Sequence, residues 1–550
     1  MDAQMQLYLN RILPVVGNHL QDKSMVFLNP QLTHTIAEAF SRCGVKKLTI
    51  IGAEEVIENS PMHLSYGCSY LGQKANDACF DFFRRHNEFE KNWEFVSIDS
   101  FQQLCLPSQE SPIDMIVGGG SVGECQKIIS FAREYKIAAI VFTVLQGREA
   151  KSFISVVDTK QGLDFSLFDD LADTPCDFFS RLDFLETADL VANIAKAILL
   201  KGTEFEREDL NNLLYEKKKN NIIRGTSSWP WHVIYGGEEF SQEMLALLNA
   251  FSFEFEYKPT KEERLMIIGC GTASLLVGEA INFCKNILLI DCKNVSTFNP
   301  VRQLYGTEEI GKVKVLSAQR ILTERLGEHA NGYEIAARQL KLKEEDSASV
   351  EKFHALLDEY MPTIVIVGMG QTRDDNFVAT KILRDRGIKH VVSAAFPLAT
   401  HYKHIVVDGK NGPCYTCLQG RLPIDNEGVA PITEEQREMF YGEGDFEEKT
   451  QPATIIETWP SAHSALRLAV QLSLPENERS DWFREKLSGG ETCFVGSNVS
   501  IKNDGSYLYG IKFPGQMVTY SDGNIFTAME GELCIDCGRN LSRGRRNEEN

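Results

Sequence analysis

The sequence lacks long apolar runs: nowhere do eighteen apolar residues follow one another. A membrane-spanning helix needs about 20 such residues, so the sequence predicts no membrane span. The first residues, MDAQMQLYLNRILPVV, contain no basic segment followed by an apolar stretch, which argues against a secretory signal peptide. From these absences we expect a cytoplasmic protein that does not bind a membrane.

Positive charge is also scarce, because 57 Lys and Arg residues face 77 Asp and Glu residues, for a net charge of −20. An acidic surface repels phosphate backbones and anionic lipid headgroups, so nucleic acid is excluded as the main partner. The hydrophobic fraction of 43% and the charged fraction of 24% are typical of a soluble globular protein. A length of 550 residues predicts two or three domains.

Cysteine is not scarce, but most of the 14 cysteines show no pattern. Ten are scattered singly among apolar neighbours, as Cys43, Cys79 and Cys284 are, and we expect them to pack in the core. The other four form two C-x-x-C pairs, Cys414 with Cys417 and Cys534 with Cys537. In a reducing compartment, four thiolates predict a closed tetrahedral zinc site of the structural type, with a redox dithiol as the alternative.

Two parts of the chain share the strand, turn, helix and strand order of a parallel α/β domain. The apolar strand segments of the N-terminal part lie within 24–56, 114–120, 137–144 and 153–160, and those of the C-terminal part lie within 264–295, 363–370, 390–396 and 404–410. Because the order matches segment for segment, we predict a duplicated α/β fold with divergent, Rossmann-like halves. Two unrelated α/β domains with the same layout are the alternative.

The predicted domains follow from this repeat. The first covers 1–199 and the second covers 263–550, with an insertion at 418–470 that includes an acidic stretch. The segment 200–262 between them is charged and aromatic, and we expect a small helical connector there.

A glycine loop in the C-terminal part predicts a nucleotide site. In IIGCGTASLLVGEA, Gly269 and Gly271 lie between an apolar strand and a helix, where the backbone can approach a phosphate closely. Asp291 ends the next strand and can accept hydrogen bonds from ribose hydroxyls. Ser274 occupies the third glycine position of the dinucleotide pattern, so the loop alone fits a nicotinamide dehydrogenase no better than another nucleotide-binding protein.

The segment after Asp291 favours a triphosphate over a pyrophosphate bridge. It contains two amides and two cations, which are Asn299, Gln303, Arg302 and Lys314. Cations at such a site offset the negative charge that develops as pyrophosphate leaves. Outside this fold context, Arg302 and Lys314 would be ordinary surface cations.

The string GCGTAS, followed by LLIDCKNVSTFNPVRQLYGTEEIGKVK, resembles the adenylation domain of ubiquitin-activating enzymes and of their bacterial relatives in thiamine and molybdopterin biosynthesis, the ThiF, MoeB and HesA superfamily. The resemblance implies that ATP and Mg²⁺ bind here. It implies a ribose contact for Asp291, phosphate contacts for Asn299, Arg302, Gln303 and Lys314, and a magnesium contact for Asp375, with Asp374 as the substitute. It also implies structural zinc, because the family has a P-C-x-x-C pair after the strand that matches HIVVDGK.

The resemblance accounts for the duplication, because activating enzymes of the eukaryotic type pair an inactive adenylation domain with an active one. The N-terminal half fits the inactive role: FLNPQLT replaces its glycine loop, and VIENSPMHLSYG keeps Asn59 but has no Arg-Gln pair. The segment LYLNRILPVVGNHLQDK resembles the opening helix of the family, which implies that Arg11 reaches the ATP of the other half. The alternative for Arg11 is an exposed arginine on an N-terminal helix.

The second half-reaction of that family needs a cysteine that this chain lacks. In the family, a cysteine attacks the acyl-adenylate and carries the small protein as a thioester, within a Pro-(x)-Cys-Thr-Ile signature followed by a proline and a helix. Here the sequence is QPATIIETWP, with Ala453 at the nucleophile position and a helix expected from Ser461. Three interpretations are open: an engineered Cys-to-Ala change, an enzyme that adenylates without a thioester at this position, and a nucleophile elsewhere, for which Cys493 is the candidate.

These features predict an ATP-dependent enzyme that adenylates the C-terminal tail of a ubiquitin-like protein, forms a thioester and delivers the protein to a conjugating enzyme. The short chain resembles the compact activating enzymes of bacterial ubiquitin-like conjugation operons, which implies antiphage defence and allows a homodimer. The alternatives are an adenylyltransferase for a sulfur-carrier-like protein without a thioester step, a nicotinamide oxidoreductase, and a non-catalytic scaffold.

Overall fold

The computed structural model describes most strands and helices of both halves. The described residues are 19–86, 94–104, 112–146, 150–161, 168, 181–200, 222–224, 232–235, 260–271, 274–297, 299–343, 345–369, 373–395, 401–410, 412–419, 454–497 and 517–521. Within these ranges the chain forms two eight-stranded sheets.

The first sheet is built from the N-terminal half and from two short strands of the connector. Its strands are β1 Ser24–Leu28, β2 Lys47–Ile51, β3 Glu94–Ile98, β4 Met115–Gly119, β5 Ala138–Gln146, β6 Ala150–Val157, β7 Ile222–Arg224 and β8 His232–Tyr235. Their spatial order is β3-β2-β1-β4-β5-β6-β8-β7. The pairs from β3 to β5 are parallel, and β6 pairs antiparallel with β5.

The second sheet repeats the order and direction of the first six strands and differs in the last two. Its strands are β9 Thr260–Ile268, β10 Cys284–Asp291, β11 Glu334–Gln339, β12 Ile364–Val367, β13 Lys389–Ala395, β14 His401–Val407, β15 Glu491–Ser497 and β16 Met517–Ser521. The order is β11-β10-β9-β12-β13-β14-β15-β16, with parallel pairs from β11 to β13 and antiparallel pairs from β13 to β16. The predicted α/β class with two sheets rich in parallel strands is therefore confirmed.

Helices connect and cover the two sheets. They are α1 Pro30–Arg42, α2 Pro61–Tyr66, α3 Ala75–His86, α4 Val122–Tyr135, α5 Arg181–Leu200, α6 Ser274–Ala280, α7 Lys314–Leu326, α8 Ser347–Tyr360, α9 Arg373–Asp385, α10 Tyr415–Gln419, α11 Ile455–Ser473 and α12 Asp481–Ser488. Because both faces of the sheets are covered, central strands are continuous apolar runs: β12 reads IVIV and is buried at every position. Cys43, Cys79 and Cys284 are also buried, as predicted.

The two halves share a hydrophobic core. One cluster of buried side chains includes Phe27 of the first sheet, Ile267 of the second and Leu466 of α11. The helices α5 and α11 follow the sixth strand of each half and pack against each other at this contact. The two halves therefore bury apolar surface against each other, which favours their association.

Three buried ion pairs also link α5 to α11. They are Lys196 with Glu457, Asp189 with His463 at 2.7 Å, and Glu186 with Arg467 at 2.8 Å. Their order along α5 is the reverse of their order along α11, so the two helices run antiparallel. Burial disfavours a protonated His463, but the carboxylate of Asp189 more than offsets this effect and raises the pKa of His463 above its usual value.

Helix α11 begins six residues before the predicted start at Ser461 and contains Pro460. A proline has no N–H and leaves the carbonyl four residues earlier without its helical donor. That carbonyl belongs to Ile456, and it accepts a hydrogen bond from Asn193 Nδ2 of α5 at 3.3 Å. The prediction placed the helix start too late because this compensation comes from a segment distant in sequence.

The predicted helical connector at 200–262 is described only in part. Its described residues are Leu200, which ends α5, and the strands β7, β8 and the start of β9; the rest lies outside the described residues, so the helical connector stays a prediction. Among the helices that the structure describes, none is long and apolar enough to cross a membrane.

A buried histidine at the contact of β14 with α11 gives the fold a pH dependence. His404 Nε2 lies 2.8 Å from Ser464 Oγ, whose hydroxyl donates to the carbonyl of Pro460 at 2.5 Å, so the imidazole donates from Nε2. Burial lowers the pKa of His404 to about 3. The unfolded chain binds a proton near pH 6.5 that the folded protein rejects, so stability falls as the pH drops below that value.

From pH 7.5 to pH 6.0, His404 alone is expected to remove about 0.8 kcal/mol of unfolding free energy. A matched variant, His404→Gln, keeps a donor for Ser464 but does not titrate. Urea unfolding of both proteins at the two pH values measures the difference, and the wild type should lose about 0.8 kcal/mol more than the variant. Equal losses in the two proteins would show that the folded protein accepts the proton.

Candidate nucleotide site

The glycine loop lies where β9 ends and α6 begins. Gly269 has a φ of +92°, and a Cβ there would lie 2.4 Å from the carbonyl oxygen of Gly368, so no other residue fits. The space beside Gly271 is open: among the described residues, a Cβ there would meet Gln303 Nε2 at 3.9 Å and nothing closer. Open space at the carboxyl ends of parallel strands is where α/β sheets bind their ligands.

Asp291 at the end of β10 fixes the glycine loop. Its Oδ2 accepts from the backbone N–H of Cys270 at 2.6 Å, and its Oδ1 accepts from the backbone N–H of Lys293 at 2.8 Å. The hydroxyl of Tyr305 donates to the carbonyl of Cys270 at 2.8 Å. A carboxylate has about four acceptor sites, so Asp291 can hold the loop and still accept from a ribose hydroxyl.

A turn over 299–303, the phosphate turn, brings the predicted amides beside the loop. Asn299 and Gln303 are buried, and the carbonyl of Asn299 accepts from the backbone N–H groups of Arg302 and Gln303 at 3.1 and 2.9 Å. Asn299 Oδ1 accepts from the backbone N–H of Ser296 at 2.8 Å. Gln303 Oε1 is buried and has no hydrogen-bond partner within the part of the chain that the structure describes. An orphaned buried acceptor costs free energy unless a ligand or water satisfies it.

Two cations add positive charge near the loop. Lys314 begins α7, is 7% exposed, and lowers the pKa of the nearby Cys270 thiol, although burial raises that pKa more. Burial lowers the pKa of Arg302 to about 10, which leaves the guanidinium protonated at neutral pH. A cation that has lost hydration interacts strongly with an anion, which is the electrostatic requirement for binding a triphosphate.

The first turn of α9 is the expected magnesium position. Asp374 and Asp375 belong to this turn, but their side chains lie outside the described residues. Asn376, which the sequence interpretation missed, is 5% exposed, and its Oδ1 has no hydrogen-bond partner among the described residues. Carboxylate and amide oxygens are ligands that magnesium accepts, so this turn carries a suitable donor set.

The start of α11 reaches the phosphate turn. Thr454 is the N-cap, and its backbone N–H donates to Glu457 Oε2 at 2.8 Å. One turn later the hydroxyl oxygen of Thr458 lies 3.3 Å from the carbonyl oxygen of Arg302 and equally far from those of Thr454 and Ile455 in its own helix, so its one proton can be donated to any of the three. Ala453 lies outside the described residues, but the helix that follows it begins beside the turn that carries Arg302.

Two buried cysteines bear on where a nucleophile could lie. One is the predicted alternative on β15, and the other lies beside the start of α11. Cys493, the alternative nucleophile, is 1% exposed on β15, and burial raises its pKa to about 11. Cys43 lies against Thr454, and burial raises its pKa to about 11 as well. Since a nucleophile must be an accessible thiolate, neither buried thiol suits that role in this conformation.

Of the two C-x-x-C pairs, one is described. Cys414 Sγ lies 3.6 Å from Cys417 Sγ, and both residues are buried. Cys534 and Cys537 lie outside the described residues, as does Arg11. No group of three or more metal-binding side chains occurs within the described ranges, so the four-cysteine zinc site stays a prediction.

The first half contains a degenerate copy of this site. Gly72 donates its N–H to the carbonyl of Val56 at 2.9 Å, and Gly311 donates to Val295 at 2.7 Å. In both correspondences the residue numbers differ by 239 (72 and 311, 56 and 295). The same difference gives the counterparts of the site residues: Gly52 for Asp291, Ser60 for Asn299, His63 for Arg302, Leu64 for Gln303 and Ala75 for Lys314. Ser60, and not Asn59, therefore occupies the position of Asn299.

Pro30 changes the degenerate loop further. Asn29 N–H donates to the carbonyl of Ile51 as that of Gly269 donates to Ile290, so Pro30 stands in the place of Cys270 and has no N–H to donate. A Cβ at Gly52 would lie 2.5 Å from Pro30 Cδ, so a carboxylate cannot be accommodated there. The first half therefore lacks the counterparts of the Cys270 donor, the Asp291 carboxylate, Arg302 and Lys314. This supports the prediction that the first half is inactive.

A family match identifies the half that carries the site. Residues 247–443 match the ThiF family. The ThiF domain is this matched segment, which covers 197 of the 550 residues (443 − 247 + 1). The match confirms the resemblance to the adenylyltransferase superfamily, and it favours an ATP-dependent adenylyltransferase over the nicotinamide oxidoreductase that the glycine loop alone allows.

Solved structures similar to this chain include those of E. coli MccB. With MccA-N7isoASN, the identity is 14% and the TM-score is 0.33, over 50% of this chain and 67% of MccB. With succinimide, the identity is 13% and the TM-score is 0.33, over 50% and 66%. A TM-score this low carries no argument about function, so the ThiF domain rests on the family match. No curated protein sequence matches this chain.

Proposed function

We propose that the ThiF domain of this protein activates a ubiquitin-like protein with ATP and Mg²⁺. The C-terminal carboxylate of that protein attacks the α-phosphorus of ATP, the bond to pyrophosphate breaks, and an acyl-adenylate forms. One observation carries the proposal: the carboxyl ends of β9 and β10 bring together an open glycine loop, the Asp291 carboxylate and the phosphate turn with Arg302.

In this proposal each predicted residue has one role. The backbone at Gly269 and Gly271 approaches the phosphates, and Asp291 accepts from the ribose. The phosphates are bound by Asn299, Arg302, Gln303 and Lys314. Arg11 reaches the phosphates from the first half, and Asp375 binds magnesium. Magnesium, when bound, neutralises phosphate charge as pyrophosphate leaves. The four cysteines Cys414, Cys417, Cys534 and Cys537 hold a structural zinc.

The second half-reaction in this proposal forms a thioester. A cysteine thiolate attacks the acyl-adenylate carbonyl, AMP leaves, and the thioester passes to a conjugating enzyme. Ala453 has no thiol, so this chain stops at the adenylate. The distance of 3.3 Å between the hydroxyl oxygen of Thr458 and the carbonyl oxygen of Arg302 supports neighbouring positions for the two half-reactions. The second candidate, which the natural occurrence of Ala453 would favour, is adenylation of a sulfur-carrier-like protein without a thioester.

Pyrophosphate exchange tests the adenylation step. Radiolabelled pyrophosphate should enter ATP when a ubiquitin-like protein that copurifies with this chain is added, and should not enter ATP without it or with that protein truncated at its C-terminus. No exchange with a partner that copurifies with this chain would refute adenylation. Ala453→Cys should then form a reductant-sensitive adduct with the partner, and Ala453→Ser should not. Failure of the cysteine variant alone would favour the second candidate.

A further inference from the structure

A buried arginine of the degenerate half holds the backbone of the phosphate turn. Arg42, at the end of α1, is 2% exposed. Its Nη1 donates to the carbonyl of Pro300 at 2.7 Å and to the carbonyl of Gln303 at 2.9 Å. Its Nη2 pairs with the carboxylate of Glu38 one turn earlier on α1. The guanidinium therefore bridges both ends of the turn that carries Arg302.

The same arrangement recurs at the degenerate turn. Pro61 is the counterpart of Pro300, and its carbonyl accepts from Arg181 Nη1 at 2.9 Å. Arg181 also donates to Ser65 Oγ at 2.6 Å and pairs with the carboxylate of Glu279 at 2.9 Å. Glu279 lies on α6 and Glu38 lies on α1, the helices that follow β9 and β1 in the two halves. Each turn is thus held by a buried arginine that is itself held by a carboxylate.

The Arg42 contact matters because the turn carries the amides and the cation of the site. The carbonyls of Pro300 and Gln303 both accept from Arg42, and the carbonyl of Arg302 lies 3.3 Å from the hydroxyl of Thr458. Hydrogen bonds from a charged donor are stronger than those from a neutral one. A turn held at both ends by one guanidinium has little freedom, so its side chains are placed before ligand arrives.

We propose that Arg42 is a positioning residue for the nucleotide site, supplied by the half that has lost its own site. It touches no nucleotide; it holds the 299–303 backbone so that Asn299, Arg302 and Gln303 meet the phosphates. This inference rests on the proposed function, since it names the part that the degenerate half plays in nucleotide binding. It also explains why a half without a nucleotide site of its own remains packed against the other half.

The two arginines provide a matched experiment on the full chain. The double variant Glu38→Gln with Arg42→Met removes the arginine hydrogen bonds to the phosphate turn, and it removes both charges of the ion pair together. The double variant Glu279→Gln with Arg181→Met removes the corresponding arginine hydrogen bond to the degenerate turn. Affinity for MgATP is measured by isothermal titration calorimetry, and thermal unfolding is measured for each protein.

We expect similar decreases in unfolding temperature for the two double variants, but at least tenfold weaker MgATP binding for the Arg42 variant alone. The Arg181 variant should bind within twofold of the wild type. Equal affinities in both double variants and the wild type would overturn the positioning role. No MgATP binding by the wild type would instead refute the proposed function.

A milder variant covers the case in which the Arg42 double variant does not fold. Arg42→Lys keeps a positive charge opposite Glu38, but an ammonium cannot replace the planar, multi-donor guanidinium that bridges two carbonyls. We expect at least threefold weaker MgATP binding with little change in unfolding temperature. Unchanged affinity in this variant would also overturn the proposal.

Discussion

Replacing Lys196 with methionine is expected to lower the free energy of unfolding by about 3–5 kcal/mol. Lys196 of α5 and Glu457 of α11 are 4% and 0% exposed at their side chains, and they pair across the contact between the two halves. Without the ammonium, the buried Glu457 carboxylate loses the countercharge of Lys196, which is costly because water cannot solvate the carboxylate. The expected effect is large because only one member of the ion pair is removed and the other charge stays buried.

The Lys196→Met substitution should also weaken the start of α11. Glu457 Oε2 accepts from the backbone N–H of Thr454 at 2.8 Å, and its carboxylate also accepts from the Thr454 hydroxyl. If Glu457 protonates or turns away to regain solvation, the N-cap weakens, and loss of a cap costs a further ~1 kcal/mol. The residue before that cap is Ala453, so the same substitution should loosen the segment proposed for the second half-reaction.

Urea unfolding of the wild type and three variants measures the contribution of the buried Lys196–Glu457 pair to stability. The variant Lys196→Met should lose the most, and Lys196→Met combined with Glu457→Gln should regain most of the loss, because no unpaired charge remains. Lys47→Met is the matched surface control, since Lys47 and Glu94 pair at 2.8 Å with side chains 26% and 57% exposed. It should change stability by less than about 1 kcal/mol. A loss of similar size in Lys196→Met and Lys47→Met would contradict a role for burial.

The central strands and the nucleotide loop could be predicted from sequence because their signals are local. A strand covered on both faces must be apolar at each position, as β12 is. The run IVIV therefore predicts a buried strand without any knowledge of the neighbouring strands. Only glycine fits at position 269, because its φ is positive and another backbone segment lies close to it, so the glycine in the sequence indicates this conformation. Asp291 follows by position, at the end of the next strand.

The edge strands and the contacts between halves could not be predicted in the same way. β3 and β11 are partly exposed and lack a continuous apolar run, so the sequence segments around Glu94–Ile98 and Glu334–Gln339 show no clear strand pattern. Arg42, Asn193 and Lys196 look like ordinary polar residues of helices. Their roles depend on acceptors more than 250 residues away in the chain, and those partners are selected by the fold.

Arg302→Ala is expected to lower the rate of partner-dependent pyrophosphate exchange by about 100-fold to 1,000-fold, the range found when a preorganised donor is removed from a transition state. Charge moves onto the departing pyrophosphate as the acyl-adenylate forms. A partly desolvated guanidinium at this position stabilises that charge more strongly than a hydrated one. The substitution removes the side chain alone, since the backbone N–H of residue 302 can still donate to the carbonyl of Asn299.

Two further variants separate charge from geometry and from general effects. Arg302→Lys keeps the charge but loses the planar set of donors, so its exchange rate should lie between those of the wild type and Arg302→Ala. Arg338→Ala removes the same formal charge from an exposed residue 3.7 Å from Glu359, and exchange should stay within about twofold of the wild type because surface pairs contribute little. If Arg302→Ala were no slower than Arg338→Ala, net charge rather than placement would govern the reaction, and the phosphate turn would lose its proposed role.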